Sequence, residues 1–345
     1  MQPSHLKRIL IIQTASIGDV ILATPVPEGL HHAYPSAEID LLVKKGMEGL
    51  FKEHPFLNRI IVWDKSRKLK DFLRILIDVR KTKYDLIVNI QRFALTGLLT
   101  GFSGAAATTG FSKNPFSFLF SRRVDHHIGK GIHEVERNIS LISPAITAGQ
   151  RAKESGSLSR PRLYPSASDE ARVAAFKPGP YVSISPASLW FTKQYPAKKW
   201  VELVHTLPPA VHIYLLGSAA DARLCEEIIS LAGRDKLSNL AGELSFLESA
   251  ALMKDAVMNY TNDSAPMHLA SSVNAPVSVV YCSTVPEFGF GPLSEKKWII
   301  QTSKQLACRP CGLHGKKECP LQHFDCANTI SPDQFEPIPA KIQKL

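Results

Sequence analysis

The sequence predicts an α/β protein made of two tandem Rossmann-like, doubly wound domains that face a cleft. Three observations carry that expectation. Short apolar runs alternate with amphipathic segments, the rhythm of a parallel sheet covered by helices on both faces. The rhythm breaks once, across residues 148–179, where Gly149, Gly156, Pro161, Pro165, Pro178 and Gly179 sit among polar residues, and then it restarts. Finally, 345 residues that are 44% hydrophobic and 21% charged suit about two ordinary domains.

In the first half the expected strands are Arg8 to Ile12, Glu38 to Val43, Arg59 to Val62 and Asp85 to Ile90. The clearest helix runs from Leu69 to Arg80 and gathers Leu69, Phe72, Leu73 and Leu76 on one face. Residues 93–112 carry no charge and are long enough on paper to span a bilayer. Half of them are Gly, Ser or Thr, so they read as buried helix and loop. In the second half strands are expected at Tyr181 to Ser185, Val211 to Leu216, Ala256 to Thr261 and Val277 to Tyr281. Helices fall between them at Ala197 to Leu207, Asp221 to Leu231, Phe246 to Lys254 and Pro266 to Ser272. The expected division is 1–155 and 156–330, with 331–345 as a tail. Ligands of open parallel sheets bind beyond the carboxyl ends of the strands, so function is sought there.

Charge separates the halves. Residues 1–175 hold 25 basic and 16 acidic side chains, a net +9, whereas 176–345 hold 16 and 15, a net +1. A basic half beside a neutral one points to an anionic partner: nucleic acid, an anionic membrane lipid or a phosphorylated substrate. After Lys7 and Arg8 the run Ile9 to Ile12 is too short for a secretory signal core, so a cytoplasmic protein is expected.

Three strand ends carry chemistry. Gln13-Thr14-Ala15-Ser16-Ile17-Gly18-Asp19 leads from a strand through small residues into a helix, with Asp19 where a helix dipole favours a carboxylate. The three-glycine dinucleotide fingerprint and the Gly-Lys-Ser/Thr phosphate loop are both absent, which disfavours hydride transfer and triphosphate hydrolysis. The second end runs from Ser185 to Pro196 and places Ser188, Thr192 and Lys193 together; hydroxyls and an ammonium suit a diphosphate. The third, Asn262-Asp263-Ser264-Ala265-Pro266-Met267-His268, opens a helix with three cap-competent residues. Capping alone accounts for them, and a helix N-terminus also binds phosphate.

In this order and spacing the segments resemble the ADP-heptose:lipopolysaccharide heptosyltransferases, glycosyltransferase family 9. Its first strand-turn reads close to S-x-G-D, its middle loop ends in K-x-W/Y-P and its late segment reads N/V-D-S/T-G-x-x-H. The matching residues are Ser16 to Asp19, Lys193 to Pro196 and Asn262 to His268, and the likeness extends from residue 8 to about 335. A cysteine cluster running into Ile330-Ser331-Pro332 is similar to the heptosyltransferase II branch. Ala265 replaces the usual glycine, Cys282 to Pro286 replaces a Gly-Pro-Thr-like loop, and Trp190 and Phe191 stand where polar residues are usual.

The resemblance implies a GT-B type, inverting, metal-independent transferase without a cofactor. Residues 1–155 would bind the acceptor and 156–330 the nucleotide sugar. Asp19 would be the general base, and Lys193 would offset charge on the departing ADP. Ser188, Thr192, Asp263, Ser264, Ala265 and His268 would line the donor site, Asp221 would meet the ribose and Leu244 the adenine. Arg59, Lys65, Arg67, Lys68, Arg122 and Arg123 would meet a phosphorylated lipid A core acceptor and the inner-membrane surface, to whose cytoplasmic face the protein would be peripheral. Cys308, Cys311, Cys319 and Cys326, spaced Cys-x2-Cys-x7-Cys-x6-Cys with His314 and His323 interleaved, could bind zinc tetrahedrally. Since the transferase chemistry needs no metal, free or oxidisable thiols are favoured over a structural zinc. Two other readings stay open: a family 9 transferase using another sugar for a surface glycan, and, in a different class, a basic nucleic-acid-binding protein with a zinc ribbon. The second lacks an aromatic-basic platform, so no nucleic-acid partner is expected.

Overall fold

The computed structural model describes residues 6–129, 131–143, 145–146 and 160–338. The chain divides into two compact units, Met1–Tyr164 and Pro165–Leu345. The division falls nine residues after the expected one, because 160–164 stay with the first unit. The Arg162 amide donates to Thr24 Oγ1 at 2.9 Å and the Tyr164 hydroxyl to Glu28 Oε1 at 2.6 Å.

The first unit holds six parallel strands: β1 (Arg8–Gln13), β2 (Glu38–Lys44), β3 (Arg59–Trp63), β4 (Leu86–Asn89), β5 (Ala107–Phe111) and β6 (Arg122–Val124). Their order across the sheet is β3-β2-β1-β4-β5-β6. The helices are α1 (Ile17–Leu22), α2 (Pro25–Ala33), α3 (Lys68–Thr82), α4 (Ala94–Gly101) and α5 (Glu134–Ser140). β1 and β4 read as near-continuous apolar runs since a strand paired on both edges between helices is covered on both faces. Residues 93–112 become α4 and β5, so the expected loop is a strand whose Thr108 and Thr109 are buried. Among the described residues no helix is long and apolar enough to cross a membrane.

α3 does not turn its expected face inward. Phe72, Ile75 and Val79 pack on Leu10, Ile12, Leu42, Ile61 and Trp63, with Leu76 half-buried beside them. Leu69 and Leu73 are exposed instead, and so is Ile77. The helix has apolar residues on more than half of its circumference, and periodicity alone placed the stripe about one position off.

The second unit repeats the plan with β7 (Tyr181–Ser185), β8 (His212–Leu215), β9 (Leu237–Asn239), β10 (Met258–Asn262), β11 (Val277–Tyr281) and β12 (Lys297–Gln301). They are all parallel, in the order β12-β11-β10-β7-β8-β9. Its helices are α6 (Ala167–Val173), α7 (Ala197–Thr206), α8 (Ala222–Ala232), α9 (Phe246–Asp255), α10 (Ala265–Ser272) and α11 (Asp325–Asn328). Capping boxes start α6 (Ser166 with Asp169) and α9 (Ser245 with Glu248). The expected tail is in part core: Phe335 and Ile338 are buried, and Phe335 packs its ring on Tyr195 and Tyr260. Residues 339–345 lie outside the described residues.

Both sheets share one consequence of strand order. In each, the first strand is followed outward by two neighbours, and the chain then returns to pair on its other side. The loops leaving β1 and β4, and those leaving β7 and β10, therefore diverge and leave a crevice at the carboxyl edge, the usual ligand position in such sheets.

Candidate active site

In the first unit the crevice lies at the ends of β1 and β4. Asp19 occupies the first turn of α1, half-buried. Ser16 precedes that helix but does not cap it; its hydroxyl donates to Asp19 Oδ2. Burial pushes the Asp19 carboxyl above its ordinary range, the Ser16 hydroxyl opposes that, Glu134 reinforces it and Arg92 pulls it back. Glu134 heads α5. Although burial raises it, its carboxylate is held low by His126 (3.1 Å) and Arg137 (2.6 Å). Beneath the loop, Gln91 Nε2 donates to Gln13 Oε1, which also accepts the Ala15 amide at 3.3 Å. The result is a carboxyl group whose proton is tuned by burial and by charges of both signs, as suits a general base.

Of the six basic acceptor candidates the structure brings one to this loop. Lys65 Nζ donates to the Thr14 carbonyl at 2.7 Å, and its ammonium is pushed down by burial and by Lys44. Arg59 is elsewhere. It starts β3 level with Leu10, three residues back from the level of Gln13, and its guanidinium binds Asp40, Asp78 and Tyr84. It is a strut of the fold. Arg67 pairs with Asp64 at 3.9 Å on the same edge, and the Lys68 side chain lies outside the description. Arg122 and Arg123 are exposed on β6, the opposite edge of the sheet. Five strand spacings, about 24 Å, separate β3 from β6. The six do not form one cluster.

In the second unit the candidates converge. Lys193, in the loop after β7, reaches Asp263, just after β10, at 2.8 Å, with side chains 15% and 10% exposed. Thr284, after β11, donates to the same Asp263 Oδ2 at 2.6 Å. Asn262 joins the loops: its Oδ1 accepts the Tyr195 amide at 2.9 Å and its Nδ2 donates to the Pro186 carbonyl at 2.7 Å. Ser264 stands at the N-cap position of α10 without a capping bond, its Oγ turned to the Asn262 carbonyl at 3.4 Å. None of the three cap-competent residues shows a side-chain cap on α10, so capping does not account for them; Asn262 and Asp263 instead tie the neighbouring loops together. Ala265 opens α10, and His268 is buried one turn in. Ser188 is half-buried in the β7 loop, where its carbonyl accepts Gln194 Nε2 at 2.6 Å.

Thr192 does not line a donor site. It is 1% exposed, and its hydroxyl is used by Ser283 Oγ at 3.0 Å and the Lys316 amide at 2.7 Å, which pins the Lys193 loop to its neighbours. Asp221 gives Oδ2 to the Ser218 amide and hydroxyl in a capping box, leaving Oδ1. Leu244 follows β9, half-buried. Its loop meets that of Asp221 where the Gly242 amide donates to the Gly217 carbonyl at 2.9 Å. Gly242 has φ +85° and a Cβ there would sit 2.9 Å from Ala219, so only glycine suits the approach.

The cysteines are all free thiols. Cys308, Cys311 and Cys319 line a cavity of about 470 Å³ with Lys316 and Leu321, while Cys326 is buried in the core. Cys308 Sγ lies 3.9 Å from His323 Nε2. Burial pushes Cys326 up to about 12. Among the described residues no three His, Cys, Asp or Glu side chains are grouped to hold a metal ion.

Sequence reasoning missed Gln91, Arg92, Glu134 and Thr284. The first two directly follow β4 and could have been found by the strand-end rule; Glu134 arrives from α5, and nothing local marks it.

Residues 72–323 match the family model for glycosyltransferase family 9 (heptosyltransferase). The chain is 28% identical over 292 residues to lipopolysaccharide heptosyltransferase 3 of Escherichia coli K12, covering 77% of this chain and 80% of that protein. Its fold matches a glycosyl transferase family 9 structure from Veillonella parvula at TM-score 0.76, with 20% identity and 87% of each chain covered. It matches E. coli ADP-heptose lps heptosyltransferase II at TM-score 0.74, with 22% identity and 95% and 96% covered. The family match decides between the open classes in favour of the enzyme. With two parallel sheets of this order and residues 72–323 matched, the chain belongs to glycosyltransferase family 9, the heptosyltransferases.

Proposed function

We propose that the protein moves a heptose from ADP-heptose to the inner core of lipopolysaccharide, with inversion at the sugar carbon and without a metal ion. The observation that carries this reading is the uncapped start of α10 beside the Lys193–Asp263 pair. Pro266 has no N–H and the Met267 amide donates to the Ser264 carbonyl, so the amides of Ser264 and Ala265 are the ones that, with the ammonium, favour a diphosphate, doing by fixed charge what a divalent cation does in other transferases.

In this reading Asp19 takes the proton from the acceptor hydroxyl as its oxygen attacks C1 of the sugar, and the bond from C1 to the ADP oxygen breaks. Lys193 has two N–H donors beyond the one on Asp263 and directs them to the departing diphosphate. Asp263 orients that ammonium, and Thr284 orients Asp263. Asp221 Oδ1 and Leu244 serve the adenosine, and Ser188, Ser264, Ala265 and His268 complete the donor pocket. Lys65 contacts the phosphorylated acceptor near Asp19. The acceptor's lipid anchor makes the enzyme peripheral to the cytoplasmic face of the inner membrane.

The test is a mass-spectrometric screen of nucleotide sugars with a lipid-free core oligosaccharide in excess EDTA. Transfer of heptose from ADP-heptose is expected. Turnover of another nucleotide sugar alone would move the protein to a different surface glycan, and activity abolished by EDTA and restored by magnesium would overturn the metal-free mechanism.

A further inference from the structure

We propose that the first unit docks on an anionic lipid bilayer through the outer face of α3, the end of α4 and the turn at 117–119. The inference deepens the lipid-linked acceptor reading by naming the surface that would meet the lipid. It starts from exposed apolar side chains: among the described residues, eight of the fourteen large exposed hydrophobic side chains lie between 69 and 119. On α3, Leu69, Leu73 and Ile77 are 67%, 47% and 66% exposed and recur every four residues, a solvent-facing stripe beside the face that packs on the core. Leu95 and Phe102 are exposed on and just after α4, and Phe118 in the turn.

These elements adjoin. Arg80 Nη1, near the end of α3, donates to the Phe102 carbonyl at 2.8 Å. The turn lies against α4 so closely that a Cβ on Gly101 would come within 2.5 Å of Leu119 Cδ1. An apolar surface of this extent is unusual unless something covers it.

Charge identifies the occupant. From 65 to 123 there are twelve Lys and Arg and three Asp, a net +9. All three carboxylates are engaged within the fold: Asp71 with Arg74 and the Asp64 amide, Asp78 with Arg59, and Asp85 with the Lys7 and Arg8 amides. Exposed Lys70 and Lys81 flank the stripe on α3, and Lys113 lies near the turn. An apolar stripe bordered by cations, without exposed acids, has the composition of helices that lie in the interface of an anionic bilayer. A nucleic acid would leave the leucines unexplained, and a purely apolar partner would leave the lysines unexplained.

Flotation with phosphatidylcholine vesicles, with and without phosphatidylglycerol, tests the proposal on the full chain. The wild type should float with the anionic vesicles, less so at high salt. Leu73→Ser with Ile77→Ser should lower its partition by about a hundredfold, since each inserted apolar side chain contributes about a factor of ten. Lys70→Glu with Lys81→Glu should lower it too. Both pairs should melt within about 2 °C of wild type, as exposed substitutions do. Transfer to the lipid-free oligosaccharide should be unchanged in both, which separates the docking face from the enzyme reading: loss of wild-type transfer would sink the latter alone. Docking is overturned by a wild type that ignores anionic vesicles, by equal flotation with neutral ones, or by apolar variants that float as well as wild type. A wild type that instead self-associates through this face, with the serine variants monomeric in sedimentation velocity, would also overturn it.

Discussion

Replacing Lys193 by Ala should separate two roles that one side chain combines. Its ammonium lies 2.8 Å from Asp263, and at an effective dielectric of about 20 the bare attraction is about 6 kcal/mol. Desolvation of both groups takes much of that back. What remains visible on removing one partner of a buried pair is about 3–5 kcal/mol, because the other charge is left uncompensated. Here the side chains are 15% and 10% exposed and Thr284 still donates to Asp263, so the lower end, about 3 kcal/mol, is expected. For a unit of this size that is a fall of about 6–12 °C in melting temperature. Adding Asp263→Asn removes the stranded charge and should restore most of the loss. ADP affinity should not recover with it: both variants lack the charge-assisted contact to the diphosphate and should bind ADP about ten- to a hundredfold more weakly by titration calorimetry. A single variant melting within about 2 °C of wild type would show that the pair carries no buried charge. A double variant that binds ADP like wild type would remove Lys193 from the diphosphate site.

Three further outcomes follow from the same geometry. Asp19→Asn keeps the volume and an acceptor for Ser16, so it should fold and bind ADP within about threefold of wild type while transfer falls by about a hundred- to ten-thousandfold; near-normal turnover would move the base elsewhere. The Asp19 carboxyl is raised in the folded state, so its favourable contribution is present at low pH and lost as pH rises through its folded value; the permanently neutral Asn should therefore melt no lower than wild type at pH 8, and wild-type transfer should lose its base at a pH above the ordinary aspartate value of about 3.9. Thr192→Val strands the buried Ser283 hydroxyl and the Lys316 amide, so it should cost about 1–3 kcal/mol in denaturant unfolding while the donor KM changes little at saturating stability; a large KM change without destabilisation would return Thr192 to the donor site.

The sequence was sufficient for the pattern of strands and helices that bury residues locally. β7 and β11 run from Tyr181 to Ser185 and from Val277 to Tyr281, as their apolar runs indicate, and α7 and α9 are placed to within a residue. It was also sufficient to single out Asp19, Lys193 and Asp263 as candidates, because ligands of a parallel sheet gather at strand ends and those ends are visible as an apolar run giving way to small and polar residues. The short strands β5, β6, β9 and β12 escaped: β6 (RRV) and β12 (KWIIQ) leave most of their side chains partly or fully exposed and so carry no long apolar run, and β5 (ATTGF) buries threonines and a glycine. Only the folded chain decided what each polar side chain is used for. Ser264 looks like a helix cap and does not cap, Thr192 looks like a ligand and is a buried tether, and Arg59 looks like a surface cation and is held by two carboxylates. A side chain's type sets the bonds it can make, but its partners come from residues tens or hundreds of positions away. Which bond it makes is decided by the register of the sheet that brings them together.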